Sequence, residues 1–70
     1  MKERERIVLE YIIKFKQTNG YSPTIREIAK GINTKSLTYV SNTVNELADD
    51  GYITVKENKP RTIRVVKFPA

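Results

Sequence analysis

The sequence predicts an α+β domain of three helices followed by a two-stranded β-hairpin. Three observations carry this expectation. Apolar residues recur every three or four positions through three separate stretches ending near residue 49, helix start and stop signals divide those stretches, and the apolar period shortens to two after Gly51. Seventy residues provide for one domain, taken as 1–70 with an ordered core at about 4–66. At that size a chain buries only roughly 60% of its unfolded surface, so a thin core is expected. With 39% hydrophobic and 30% charged residues, it is too apolar to remain disordered.

Helix 1 is expected from Arg4 to Lys16, where Val8, Tyr11, Ile12 and Phe15 form one stripe. Leu9 and Ile13 widen it, leaving open whether a second element covers them. Asn19 and Gly20 close the helix, because both accept the left-handed backbone of a C-terminal cap. Thr24 followed by Glu27 has the spacing of a capping box, so helix 2 starts at Ile25 and runs to about Ile32. Its buried face is Ile25, Ile28, Ala29 and Ile32; it is too short to hold alone, and Gly31 weakens it by about 1 kcal/mol relative to Ala. After the polar connection Asn33-Thr34-Lys35-Ser36, Ser36 is the N-cap of helix 3, Leu37 to about Asp49. Leu37, Val40, Val44 and Leu47 form its apolar face, opposite Thr38, Ser41, Asn42 and Asn45, with Tyr39 at the boundary. Asp49 and Asp50 stand where a helix favours cations, a local cost of about 0.3–1 kcal/mol with no reason visible in the sequence. Gly51 supplies the stop.

Beyond it Ile53 and Val55 alternate with Tyr52, Thr54 and Lys56, and Ile63 and Val65 repeat the pattern. These are the two strands. Between them Glu57-Asn58-Lys59-Pro60-Arg61 reads as the loop, since Pro60 cannot donate to a ladder. Lys67 to Ala70 reads as a loose end.

Several functions drop out on composition. There is no Cys and no His, which removes disulfides, thiolate and imidazole chemistry and the usual zinc ligands. No enzyme, no metal site, no cofactor and no small-molecule substrate is expected. The longest apolar cluster, Ile7 to Ile13, is interrupted by Glu10, so no membrane span or membrane partner is expected. The N-terminal alternation of Lys2, Glu3, Arg4, Glu5 and Arg6 is unlike a secretion signal, and a cytoplasmic location follows. A net charge of +5 suits an anionic partner, either nucleic acid or a membrane surface, without choosing between them.

The element order makes that choice. A short second helix, a four-residue connection and an amphipathic third helix form a helix-turn-helix, and the hairpin adds a wing. Helix 3 then enters the major groove of double-stranded DNA with its polar face on the base edges. Between Lys35 and Glu46 there is no charged residue, so this face can approach phosphates; Ser36, Thr38, Tyr39, Ser41, Asn42 and Asn45 are the expected base readers. Asn pairs with adenine in bidentate fashion, Ser and Thr serve several bases, and no Arg is available for guanine. Thr24, Arg26, Lys30 and Lys35 beside the helix, with Lys56, Lys59, Arg61 and Arg64 on the wing, are the expected phosphate contacts, which position without specifying. If about four to six phosphates are neutralised, log affinity falls against log salt with a slope near −4 to −5. The competing readings are a merely solvated surface helix, or a winged-helix protein-interaction module with Leu9, Ile13 and Val66 as its apolar patch. Whether the chain pairs as a homodimer on a two-fold operator stays open.

Asn19-Gly20-Tyr21-Ser22-Pro23-Thr24, Arg26-Glu27-Ile28-Ala29, the Val40, Val44, Leu47 helix, Gly51-Tyr52-Ile53 and Pro60-Arg61-Thr62-Ile63 together resemble the N-terminal DNA-binding domain of LexA repressors over about residues 4 to 66. The resemblance implies a winged helix-turn-helix that reads an operator half-site with the N-terminal part of helix 3 and rests its wing on the backbone. The chain departs from that pattern in two places. LexA repressors typically carry an acidic pair where Ser41 and Asn42 stand, so the family's base preference does not transfer. Asn33 replaces a Gly in the turn, a tolerable change because Asn accepts a left-handed backbone. Such repressors continue into a self-cleaving domain with a serine and lysine dyad that also forms the dimer. The 70 residues carry no such domain, so no autocleavage is expected of them, whether they are an excised domain or a free-standing regulator.

Overall fold

The computed structural model describes residues 1–56 and 59–69. Three helices, α1 (Glu3–Asn19), α2 (Ile25–Gly31) and α3 (Leu37–Asp49), precede two short strands, β1 (Ile53–Thr54) and β2 (Arg64–Val65). The fold is the expected winged helix-turn-helix.

Helix α1 is longer than its apolar stripe suggests. Gly20 at φ 81 ends it, its N–H donating to the Lys16 carbonyl at 2.8 Å, while the Asn19 side chain donates to the Phe15 carbonyl. Both capping signals at α2 are real: the Glu27 N–H donates to Thr24 Oγ1 at 3.1 Å, and the Thr24 N–H to Glu27 Oε1 at 2.8 Å. In the turn, Asn33 adopts φ 63, the left-handed conformation its side chain tolerates. Ser36 caps α3 by accepting the Tyr39 N–H at 3.1 Å.

The core is one cluster drawn from every element: Val8, Leu9 and Ile12 of α1, Ile28 and Ala29 of α2, Val40, Val44 and Leu47 of α3, then Ile53 and Ile63. Leu9 is fully buried and Ile13 half-buried against it, so the widened face of α1 is covered within the domain. Leu37, expected on the apolar face, is 38% exposed because it sits in the first turn, beyond the reach of α1. Thr43 takes a core place that its residue type does not advertise; its hydroxyl donates to the Tyr39 carbonyl at 2.8 Å, which removes the cost of burying it. Glu5 is buried too, one carboxylate oxygen accepting the Lys2 N–H at 3.2 Å at the α1 N-terminus, where the helix dipole favours an acid. Gly31 meets the Tyr11 ring so closely that a side chain there would overlap it, which accounts for a poor helix former in α2.

The hairpin is shorter than the alternation predicts. Its antiparallel register has two positions, Ile53 opposite Val65 and Thr54 opposite Arg64. Ile53 and Ile63 are buried but Val55 is exposed, because the wing leaves the core after Thr54. The expected loop includes Glu57 and Asn58, which lie outside the described residues. Lys67 is not loose: its N–H donates to the Tyr52 carbonyl at 3.1 Å and its ammonium lies 4.7 Å from the Tyr52 ring centre.

Candidate nucleic-acid interface

On α3 the residues Thr38, Ser41, Asn42 and Asn45 follow the spacing i, i+3, i+4, i+7, so they share one stripe of the helix. Val40, Thr43, Val44 and Leu47 occupy the opposite side and are buried. The polar stripe is therefore turned out by the same packing that anchors the helix. All six expected base readers, with Ser36 and Tyr39, are exposed. Ser36 has a second duty as the cap, so its hydroxyl already accepts one hydrogen bond.

Glu46 ends the uncharged run at the edge of this face. Arg4 Nη2 reaches both its carboxylate oxygens, at 2.7 and 2.9 Å, Arg4 Nε donates at 3.1 Å, and Lys2 Nζ lies 3.3 Å away. The Arg4 hydrogen bond holds the Glu46 carboxyl below the usual carboxylate range, with Lys2 adding to it, and Glu46 in turn raises Arg4. An acid at the rim is thus covered by Arg4 of α1 and by Lys2 just before it, pairings 42 and 44 residues apart in sequence that no local pattern reveals.

The expected phosphate contacts divide among four surface clefts, the one that holds Thr24 also holding Arg26, Lys59 and Arg61. One of about 460 Å³ is lined by Arg26, Lys30, Asn33, Lys35 and Leu37 beside the turn. A second, about 420 Å³, brings Ser41 and Asn45 of α3 together with Lys56 and Lys59 of the wing, over Ile25 and Pro60. Cations therefore line both clefts, and the second sets Lys56 and Lys59 beside the stripe residues Ser41 and Asn45. Arg64 is not among them: it lines a third cleft with Lys16, Tyr21, Lys56 and Arg61. Lys16 enters this group only through folding, since nothing near it in sequence marks it.

Arg61 differs from the rest. Its Nη1 and Nη2 donate to Glu27 Oε1 and Oε2 at 2.8 and 3.0 Å, Nη1 also donates to the Ser22 carbonyl at 3.1 Å, and the guanidinium lies 4.6 Å from the Tyr21 ring centre. The hydrogen bond from Arg61, with a smaller one from the Thr24 N–H, keeps the Glu27 carboxyl below its ordinary range. Thr24 is likewise spent locally, its hydroxyl accepting the Glu27 N–H, and it is half-buried.

A helix-turn-helix with an uncharged outward stripe, a basic wing beside it and further cations at the turn defines the molecule as a winged-helix nucleic-acid-binding domain. The family model of the LexA DNA binding domain matches residues 1–62, and the chain belongs to that family. It is 36% identical over 64 residues to the LexA repressor of Staphylococcus epidermidis, covering 91% of this chain and 31% of that protein. The LexA repressor of Corynebacterium diphtheriae is 36% identical over 69 residues, 99% of this chain and 29% of that protein. That of Pediococcus pentosaceus is 38% identical over 61 residues, 87% and 29% respectively. The chain thus spans less than a third of the length of these relatives. Among the described residues no helix is long and apolar enough to cross a membrane.

Proposed function

We propose that the chain is a sequence-specific double-stranded DNA-binding domain of a transcriptional repressor, with α3 in the major groove. The observation that carries this reading is the uncharged, exposed stripe of Thr38, Ser41, Asn42 and Asn45, whose Ser41 and Asn45 share one cleft with Lys56 and Lys59 of the wing, while Arg26, Lys30 and Lys35 line another beside the turn. An acid-free rod fits between two phosphate rows, and the cations meet those rows. Asn42 and Asn45 read adenine edges, Ser36, Thr38 and Ser41 serve neighbouring bases, and Tyr39 or the Thr38 methyl meets a thymine methyl. Arg64 reaches the backbone from β2, and Thr24 from the start of α2.

The longest extent of the domain is 26 Å, shorter than the roughly 34 Å between half-sites on successive helical turns. One copy covers one half-site, and two copies fit side by side on a two-fold operator. Selection of bound duplexes from a random pool tests the reading. The expected result is an enriched half-site whose affinity falls with salt at a slope near −4 to −5. Recovery of no common sequence, together with salt-independent or absent binding, overturns it in favour of a protein-interaction module.

A further inference from the structure

Among the described residues two strand positions pair, and a short two-stranded ribbon is marginal by itself in water. Beyond Thr54 a side chain joins the two arms: Thr62 Oγ1 accepts the Lys56 N–H at 3.1 Å and donates to the Lys59 carbonyl at 3.0 Å. What ties this part of the wing to α2 is Arg61. Pro60 followed by Arg61 at φ 58 has the pattern of a type II turn, a left-handed position that a bulky residue rarely takes. The turn aims the guanidinium back at α2, where both terminal nitrogens meet the Glu27 carboxylate while one of them also holds the Ser22 carbonyl. The Ser22 hydroxyl donates to the Ile63 carbonyl, so the same segment is tied to the wing on either side of Thr62. Glu27 is also the third residue of the α2 cap, and α2 packs on α3.

We propose that Arg61 and Glu27 form a latch that sets the angle of the wing against α2, making both of them positioning residues for DNA binding. This rests on the DNA-binding reading above, and it changes the part Arg61 plays: its fork is occupied within the domain, and it acts by placing Lys56 and Lys59 opposite the α3 stripe. Glu27 becomes functional although it is acidic and near a polyanion.

The sign of that last statement makes the latch testable. On charge alone, Glu27→Gln removes a repulsion and tightens binding; Gln still serves the cap, so α2 is retained. The latch requires the opposite, a loss of about five- to tenfold in affinity for a duplex selected by the wild-type chain. Arg61→Lys keeps the charge that a direct phosphate contact uses but cannot reproduce the planar fork, so it too is expected to lose about five- to tenfold. The double variant should be no weaker than the worse single one. Tighter binding by E27Q, near-wild-type binding by R61K, or additive losses overturn the latch. A readout without DNA separates its failure from that of the DNA reading. Hydrogen exchange at Lys56 and Val66 should speed up severalfold in both single variants while exchange at Leu47 is unchanged; protection equal to wild type overturns the latch even if no duplex binds.

Discussion

Helix α3 and the wing flank the same cleft, yet they are held in place by different forces. The helix is anchored from behind by Val40, Thr43, Val44 and Leu47, all buried, so its outward stripe is fixed mainly by close packing, with the Glu46–Arg4 ion pair only at its rim. The wing buries Ile53 and Ile63 at its base, and among the described residues its outer part is held by the Thr62 hydroxyl and by Arg61, on the Glu27 carboxylate and the Ser22 carbonyl. A rigid reader beside an adjustable clamp is the consequence: base recognition is tied to the stability of the core, whereas backbone contact is tied to surface electrostatics.

The comparison breaks most severely where the helix loses its anchor. Leu47→Ala should cost about 2–5 kcal/mol of unfolding free energy, much of what a domain this small possesses, as read by denaturant titration. A loss below about 1 kcal/mol would mean that α3 is not core-held. Next in size comes the outward face of the same helix. Asn42→Ala should reduce specific binding by about 1–3 kcal/mol while moving stability by less than about 0.5 kcal/mol, because its side chain is exposed. Equal discrimination between selected and random duplexes in wild type and variant would remove Asn42 from the base-reading set. Smaller again is Gly31→Ala. Helix propensity favours Ala by about 1 kcal/mol, but the new methyl overlaps the Tyr11 ring, and overpacking typically costs 1–3 kcal/mol, so a net loss of about 1 kcal/mol is expected in thermal or chemical unfolding. A stabilised variant would show that the ring yields freely and that α1 and α2 are less tightly fitted than they look.

The same contrast governs what was legible in the sequence. Thr24 with Glu27, Ser36 with Tyr39 and Gly20 with Lys16 are local signals three or four residues apart, and each was readable because helix ends are satisfied locally. The outward stripe was readable from period alone, since the buried Val40, Val44 and Leu47 fix which side remains. Thr43 and Glu5 were not: Thr43 is buried with its hydroxyl on the Tyr39 carbonyl, Glu5 with one carboxylate oxygen on the Lys2 N–H and the other without a partner among the described residues, and neither residue type announces burial. Val55 looked like a core residue by alternation, but the wing had already left the core. Arg61 and Arg4 look like any other surface cation; their partners are 34 and 42 residues distant, and only the fold brings them together. Long-range polar contacts were the least legible part, and they are what sets the wing.

The smallest expected effect is acid loosening of these polar ties, and its direction follows from the carboxylates. Glu27 and Glu46 are both held below the ordinary value of 4.5, by Arg61 and Arg4 respectively. A carboxyl whose pKa is depressed on folding contributes stability above its unfolded value, and that contribution disappears as pH falls through the folded one. Wild-type melting temperature should therefore fall more steeply below about pH 4.5 than that of the E27Q/E46Q variant, which has already lost both pairs. At neutral pH the wild type should be modestly the more stable of the two, and high salt should shrink the gap because both carboxylates are about one-third exposed. Parallel acid profiles for the two proteins would show that these pairs contribute nothing measurable, leaving the wing dependent on Thr62 and its two buried isoleucines. A wild-type profile that drops while Leu47 exchange stays protected would instead separate the clamp from the reader within one molecule.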